Sequence, residues 1–405
     1  MLAVRVALCR FRYWCLLRRI KARVADRPIR VLFLVSLTAK WKCQTVYDEM
    51  VKSGLFEPMM GLMVANDSVC SDAELSRKLD EDRRHYESRG NKCVRVVKTN
   101  PRRYLDLREF APDVVFYQQP WGLPDIYQPW FVSKFALTCY VPYYVFDSSF
   151  DLNLDARLHF HRMLWLYFVA NEKWAEICRG AVSRLFSAMR VLPLGHPMLD
   201  RYLSCKKTND LCGSVIYAPH FSFRYPNHDT LLKISTFSEL GCPILDYAKR
   251  HPEFKWVFRP HPVLRRDLVR SGMWTKEETD AYYAEWERLG RASYDGDYVD
   301  LFAESRVLIT DCGSFLPEYA ATGKPVIHLI PADRETRIRY PYDKVISTFY
   351  QVRSLDELQK TFSLVLEERK DPLLQQRQEE VSKAGLGTDY AAGKICAYLT
   401  RILKG

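Results

Sequence analysis

Residues 305–331, SRVLITDCGSFLPEYAATGKPVIHLIP, constrain the fold more than any other stretch of the chain. Val307, Leu308, Ile309 and Thr310 form an apolar, β-branched run without polar alternation. That is the pattern of a parallel strand covered on both faces. Asp311-Cys312-Gly313-Ser314 breaks the run, and residues 315–321 then have helical character, with Pro317 tolerable only in a first turn. Gly323-Lys324-Pro325 stops the helix, and residues 326–330 form a second apolar strand. Strand, polar turn, helix and strand in this order make a βαβ unit, which belongs in a parallel sheet. The turn leaves the carboxyl end of a strand, where open α/β sheets bind ligands. Gly313 allows close backbone approach, Ser314 is the expected helix cap, and the free N–H groups behind it can hold a phosphate. Glu318 follows one turn later.

The same alternation runs through the chain twice. Strands are expected at 30–36, 57–64, 94–97, 112–117, 137–141, 168–171 and 191–194, with helices at 40–53, 72–90, 102–110, 157–167 and from 172 onward. Polar, unpatterned residues 204–212 read as a linker. Beyond them come strands at 214–220 and 254–258, a helical region at 230–250 interrupted near Pro243, helices at 276–289 and 300–302, the βαβ unit, and helices at 357–368 and 390–403. The expected class is α/β with two doubly wound domains, 27–203 and 213–385, flanked by a basic helix at 1–26 and a C-terminal helix at 386–405.

A formal net charge of +11 over 405 residues suits an anionic substrate or an anionic membrane surface. No zinc finger, RNA-recognition motif or basic stripe supports a nucleic-acid partner. The 12 cysteines are scattered without a CxxC pair, and no signal peptide precedes them. The expected compartment is therefore reducing and cytoplasmic. Cys312 reads as a turn residue rather than a nucleophile. Residues 1–25 alternate Leu2, Val6, Phe11, Trp14, Leu17 and Ile20 with seven basic residues. Arginines interrupt every apolar run, which rules out a membrane span. An interfacial helix on anionic lipid is expected, with packing on the protein's own surface as the rival.

The second chemical signal is Arg259-Pro260-His261-Pro262, directly after an apolar strand. Two prolines fix a loop that carries a phosphate-gripping guanidinium beside an imidazole able to donate a hydrogen bond. Tyr217-Ala218-Pro219-His220 ends another strand. Asp147, Asp151 and Asp155 follow the strand at 137–141 as candidate general bases, with helix capping the rival reading. Asp295 and Asp297 read as capping residues rather than a metal pair, and no metal motif is evident.

Four motifs, taken in order, resemble the CDP-glycerol glycerophosphotransferase family of teichoic-acid and capsule polymerases and primases. Gly195-His196-Pro197 with Asp200 is similar to its GxPxxD segment, and Tyr217-Ala218-Pro219 to YAPT. Arg259-Pro260-His261-Pro262 is similar to (K/R)xHP. Thr310-Asp311-Cys312-Gly313-Ser314, Glu318 and Gly323-Lys324-Pro325 are similar to TDYSS…E…KP. The resemblance implies a GT-B fold, two Rossmann-like domains facing across a cleft, with a CDP-linked donor in the second. Tyr217, Pro219, Arg259, His261, Thr310, Asp311, Gly313, Ser314 and Glu318 are the implied donor-binding residues. It further implies transfer of a polyol phosphate to a lipid-linked or polysaccharide acceptor, with attachment at the inner face of the cell membrane where that acceptor lies. His261 is the expected catalytic group, and because no metal motif is evident no obligatory cofactor or metal is expected. The family's usual N-terminal-domain histidine is missing at Tyr143-Tyr144-Val145-Phe146-Asp147, which leaves Asp147, Asp151 or His220 as the base. A nucleotide-sugar glycosyltransferase and a non-catalytic membrane scaffold are the alternatives on the same fold.

Overall fold

The computed structural model describes residues 2–36, 38–66, 70–145, 154–183, 189–203, 213–228, 233–293, 298–332 and 342–404. Of the sequence expectations, Asp147, Asp151, the Asp295/Asp297 pair and the 204–212 linker lie outside them. The chain forms two compact units, Met1–Asp200 with Asp389–Gly405, and Arg201–Thr388. The C-terminal helix Ala391–Lys404 thus belongs to the first unit.

The first unit holds seven strands: β1 Ile29–Val35, β2 Phe56–Leu62, β3 Cys93–Arg95, β4 Val114–Tyr117, β5 Leu137–Tyr140, β6 Leu166–Phe168 and β7 Arg190–Leu192. They order as β3-β2-β1-β4-β5-β6-β7, and every pairing is parallel. The second unit holds β8 Ser214–Ala218, β9 Trp256–Phe258, β10 Arg291–Ala292, β11 Ser305–Thr310, β12 Val326–Leu329 and β13 Tyr350–Val352. Its order is β10-β9-β8-β11-β12-β13, again all parallel. Both sheets therefore start in the middle, run to one edge, return and run to the other, the doubly wound order of nucleotide-binding folds. This is the two-sheet α/β architecture of the GT-B class.

Burial explains the strand sequences. All of β8, β9, β11 and β12 is buried, as the helix-covered parallel sheet requires. Two helices depart from expectation. Helix Phe237–Arg250 runs on through Pro243 instead of breaking there. Phe237, Leu240, Ile244, Leu245 and Ala248 lie buried on both sides of the proline, and that burial offsets the roughly 3 kcal/mol a mid-helix proline costs. Residues 102–110 give only a short 3₁₀ turn, Leu107–Phe110, started by the Asp106 side chain accepting from Arg108 N–H.

Helix Leu2–Arg23 is docked on the first unit through Val6, Cys9, Tyr13, Leu16 and Ile20. The Tyr13 hydroxyl donates to Met163 O at 2.5 Å and lies 2.6 Å from Thr138 Oγ1. Arg12 stacks on the Trp130 ring and bonds Ser133 Oγ, while Arg23 and Arg27 pair with buried Asp113. The apolar side read from sequence therefore divides. Val6 and Ile20 turn inward, and Phe11 and Trp14 turn outward. Among the described residues no helix is long and apolar enough to cross a membrane.

Candidate functional site

A doubly wound sheet leaves a crevice where the chain changes direction, outside the carboxyl ends of the two strands flanking the reversal. In the second unit those strands are β8 and β11, with β9 beside β8. Register aligns their ends: Ala218 lies opposite Thr310, and Tyr217 opposite Phe258. The three loops that follow begin Pro219-His220, Arg259-Pro260-His261 and Asp311-Cys312-Gly313-Ser314. Two motifs recognised apart in sequence and the turn of the βαβ unit thus meet at one switch point.

Hydrogen bonds stitch these loops together. His261 N–H donates to Pro219 O at 2.9 Å, and Arg259 N–H to Tyr217 O at 2.8 Å. Asp311 is buried and central. Its Oδ1 accepts from His220 N–H at 2.6 Å, and its Oδ2 from Ser235 Oγ at 2.8 Å, Thr236 N–H at 2.7 Å and Thr236 Oγ1 at 3.2 Å. Burial pushes its pKa up to about 6 against those hydrogen bonds, which favour the carboxylate. Thr310 Oγ1 donates to Ala218 O at 2.6 Å and accepts from Cys312 N–H at 2.9 Å. Asp311 and Thr310 are struts that hold the loops and do not face the crevice.

The two histidines are arranged alike. Ser222 N–H donates to His220 Nδ1 at 3.2 Å, and Val263 N–H to His261 Nδ1 at 3.3 Å. With Nδ1 accepting, the neutral ring carries its proton on Nε2. Neither Nε2–H has a hydrogen-bond partner among the described residues. The rings lie 5.0 Å apart and share Phe221, whose ring centre is 4.5 Å from each. Burial pushes the pKa of His220 down to about 3, helped by the repulsion that a second protonated ring at His261 would bring, and that of His261 down to about 4, where Asp267 opposes the shift and the Arg266 cation adds to it. At neutral pH both rings are uncharged hydrogen-bond donors. His220 accordingly does not suit the role of base, because its one lone pair is held by Ser222.

The turn after β11 is partly as expected. Helix Phe315–Ala320 forms, and an added Cβ at Gly313 would meet nothing within 4 Å, so the backbone there is open to a ligand. Ser314 is exposed but does not cap the helix; its Oγ lies 3.3 Å from Cys312 Sγ instead. The Cys312 thiol is buried, which pushes its pKa up to about 11, and it is no nucleophile at neutral pH. Three other expected contacts are turned inward. Tyr217 sits in the core between Phe258 and Trp286. Arg259 is buried, donating from Nη1 to Ser293 Oγ at 2.6 Å with its guanidinium over the Tyr298 ring. Glu318 accepts from the Tyr298 hydroxyl at 2.6 Å. Arg259, Tyr298 and Glu318 form a supporting layer beneath the loops. Lys324 closes the end of helix Val299–Glu304, donating to Ala303 O and Ser305 O at 2.5 Å each.

The remaining motif belongs to the first unit. His196 has the same ring arrangement, Nδ1 accepting from Met198 N–H at 3.3 Å, but its Nε2–H is used by Pro142 O at 2.8 Å. Asp200 accepts from Ala391 N–H at 2.7 Å, Ala392 N–H at 2.9 Å and Thr45 Oγ1 at 3.0 Å, which caps the C-terminal helix. This segment is structural. At the first unit's own switch point, between β1 and β4, Lys40 Nζ donates to Gln119 Oε1 at 2.7 Å and Lys42 N–H to Gln118 Oε1 at 2.8 Å. Lys40 also lies against the rings of Trp121 and Tyr143. Sequence reasoning did not single out Lys40, Gln118 or Gln119. Their signal was position: each lies just beyond a strand flanking the reversal. Among the described residues no group of three or more His, Cys, Asp or Glu has metal-site geometry.

No protein-family model and no curated protein match the sequence. Solved structures match over nearly the whole chain. The UDP-GlcNAc 2-epimerase of Neisseria meningitidis, bound to UDP-GlcNAc, is 14% identical with a TM-score of 0.54, covering 93% of this chain and 99% of that one. The structure of S. aureus MnaA with UDP is 14% identical with a TM-score of 0.53, covering 93% and 97%. A variant of the wall teichoic acid polymerase TagF is 14% identical with a TM-score of 0.55, covering 99% and 98%. At these identities the likeness establishes the fold, which the chain shares from end to end with enzymes of two different chemistries.

Proposed function

We propose that the chain is a transferase that moves a polyol phosphate, glycerol phosphate foremost, from a CDP-linked donor to a hydroxyl of a lipid-linked or polysaccharide acceptor, releasing CMP in cell-envelope polymer synthesis. One observation carries the reading. Two neutral imidazoles present unpartnered Nε2–H donors beside an open glycine turn, at the switch point of the second sheet. Such a set suits the diphosphate of a nucleotide donor better than a sugar or an apolar ligand. The four-motif resemblance and the shared fold with TagF, a variant of which was solved with CDPG, favour a CDP-polyol over other donors.

In this mechanism the acceptor oxygen bonds to the β-phosphorus while the bond from that phosphorus to the bridging oxygen breaks, and CMP leaves with the electron pair. His261 and His220 donate hydrogen bonds to phosphate oxygens as charge grows, a contribution realised most fully in the transition state. Gly313 lets the backbone N–H groups approach the same oxygens, and Ser314 adds an exposed hydroxyl. Arg259, Tyr298, Glu318 and Asp311 position the loops. The hydroxyl proton passes to Asp147 or Asp151, since His220 has no lone pair to offer. We propose no obligatory metal. A chelator that abolished turnover would overturn that part.

A nucleotide-sugar reaction is the second reading, favoured by the equally good match to enzymes holding UDP-GlcNAc and UDP. A donor panel separates the two. CMP release from CDP-glycerol or CDP-ribitol, with mass increase of an acceptor analogue by one polyol phosphate, supports the transferase. Turnover of UDP- or CMP-sugars alone would replace it, and nucleotide binding without turnover of any donor would leave a scaffold.

A further inference from the structure

The loop that follows β8 carries His220 at its start and His228 further along, and it is fastened at both places. At the start, Pro219 O accepts from His261 N–H at 2.9 Å. Further along, the Tyr225 hydroxyl donates to Gly272 O at 3.1 Å, and the His228 ring is held on two sides. Its Nδ1 lies 2.9 Å from Phe223 O and its Nε2 3.4 Å from Asp267 Oδ2. Each nitrogen faces an acceptor, and bonding to both takes a proton on each. Phe223 stacks on the ring at 4.2 Å, and His228 and Asp267 are only 8% and 7% exposed. The other oxygen of Asp267, Oδ1, accepts from Arg266 Nε at 2.8 Å.

Asp267 belongs to helix Leu264–Ser271, which begins directly after the Arg259–Pro262 loop. The start of that helix is bonded to His261. Val263 N–H donates to the ring Nδ1 at 3.3 Å, Leu264 N–H to His261 O at 2.9 Å, and Asp267 N–H to Val263 O at 3.0 Å. A short hydrogen-bonded path thus joins the Asp267 carboxylate to the His261 ring. The carboxylate is also felt there, since it opposes the downward shift of the His261 pKa. On the other side of the contact, the Phe221 ring lies 4.5 Å from each of His220 and His261 and 6.5 Å from His228. The His228–Asp267 contact therefore closes a circuit that runs from the β8 loop through the helix to His261 and back to Pro219.

We propose that His228 and Asp267 are positioning residues for the phosphate site. Their contact clamps the loop after β8 to the helix after β9, and so fixes the 5.0 Å ring separation at which His220 and His261 offer their Nε2–H groups. The inference rests on the reading that donor phosphate meets these two groups, but the clamp itself is testable without donor. Two hydrogen-bond donors stabilise a growing phosphate charge only while both point at it, and a misplacement of about 1 Å costs on the order of 100-fold in turnover. Buried charged pairs add little stability over well-packed apolar residues, so we assign this one to geometry.

The test uses the two amide isosteres of histidine. Asn at 228 keeps an N–H near the Nδ1 position, toward Phe223 O, and loses the reach to Asp267. Gln keeps an N–H near the Nε2 position, toward Asp267, and loses the bond to Phe223 O. Each variant gives up one buried hydrogen bond, so both melting temperatures should fall alike. His228→Asn should lower turnover of CDP-glycerol about ten- to a hundred-fold, mostly in kcat, whereas His228→Gln should stay within about three-fold of wild type. In the ligand-free protein, proton cross-relaxation should link the Phe221 ring to both His220 and His261 in wild type and in His228→Gln, and to one of them alone in His228→Asn. Asp267→Asn should lower the His261 pKa further and leave that of His220 in place. Equal turnover by the Asn and Gln variants, ring contacts unchanged in His228→Asn, or a His261 pKa unmoved by Asp267→Asn each overturn the clamp. Ring contacts that change as expected in a protein that turns over no CDP-linked donor would uphold the clamp and defeat the donor chemistry instead.

Discussion

Two His-Pro loops of this molecule are built alike and end differently. His196 follows β7 in the first unit, and His261 follows β9 in the second. Each ring accepts a backbone N–H from two residues on, which leaves Nε2–H as its donor. Pro142 O takes that donor from His196, whereas His261 keeps its own, 5.0 Å from a second ring in the same state. The histidine and proline identities are shared, so they do not decide function. What separates the two loops is whether the fold supplies an acceptor for the last N–H.

That difference can be broken by exchange of phenotypes. His261→Ala should lower turnover about 100- to 1000-fold with a smaller change in donor KM and a melting temperature near wild type. His196→Ala should do the reverse, orphaning a buried carbonyl at about 1–3 kcal/mol of stability while the folded fraction keeps its specific activity. Steady-state kinetics and denaturant unfolding on both variants check this. A melting temperature lowered by His261→Ala, with activity intact, would make it another structural histidine.

Asp311→Ala should come next in size. It strips His220 N–H, Thr236 N–H and two hydroxyls of their acceptor in a buried place, a loss of roughly 1–3 kcal/mol or more. Its effect on turnover should be indirect, through loop position, and a stable variant with lost activity would instead put Asp311 in the crevice.

Acid should separate the buried groups by sign. His196, His220, His261 and His328 have pKa values pushed down to about 4, 3, 4 and 3 by burial. Between pH 6.5 and 4 the unfolded chain binds those protons and the native one does not, so they make stability fall as pH drops. Asp200 and Asp311, raised to about 6, act oppositely between pH 6 and 4. Four groups outweigh two, and unfolding midpoints should decline below pH 6.5. His196→Asn should flatten that decline, and an unchanged slope would contradict the assigned burial.

Gly313→Ala is the smallest change. The added methyl meets nothing and the backbone angle is ordinary, so stability should hold or rise by about 0.4–1 kcal/mol. Donor KM should nevertheless increase, because the methyl fills the approach to the turn. An unchanged KM would remove the donor from this loop.

The architecture was legible because buried parallel strands are written as continuous apolar runs, as in β1, β8 and β11. The site was half legible. Gly313 and His261 stood out by the loops they sit in. Tyr217 and Arg259 stood out equally but are turned inward. A strand covered on both faces gives no periodic cue to which side faces the crevice, and Tyr217 shows this. Arg259 needs Ser293 and Tyr298, brought near by the fold alone. Asp311 was visible as a motif residue, yet its strut role depends on Ser235 and Thr236, which lie far away in sequence. The first helix misled for a related reason. Its apolar residues are one set in sequence and two opposed faces in space.

The most direct measurement is imidazole nitrogen NMR of the intact protein titrated with CDP. Nearby diphosphate favours the charged ring. The Nε2 signals of His220 and His261 should shift saturably and their pKa values should rise from about 3 and 4, while His196 stays unmoved at about 4. Saturable nucleotide binding that left both His220 and His261 unshifted would contradict the account, because the two free N–H donors would then not be where phosphate binds.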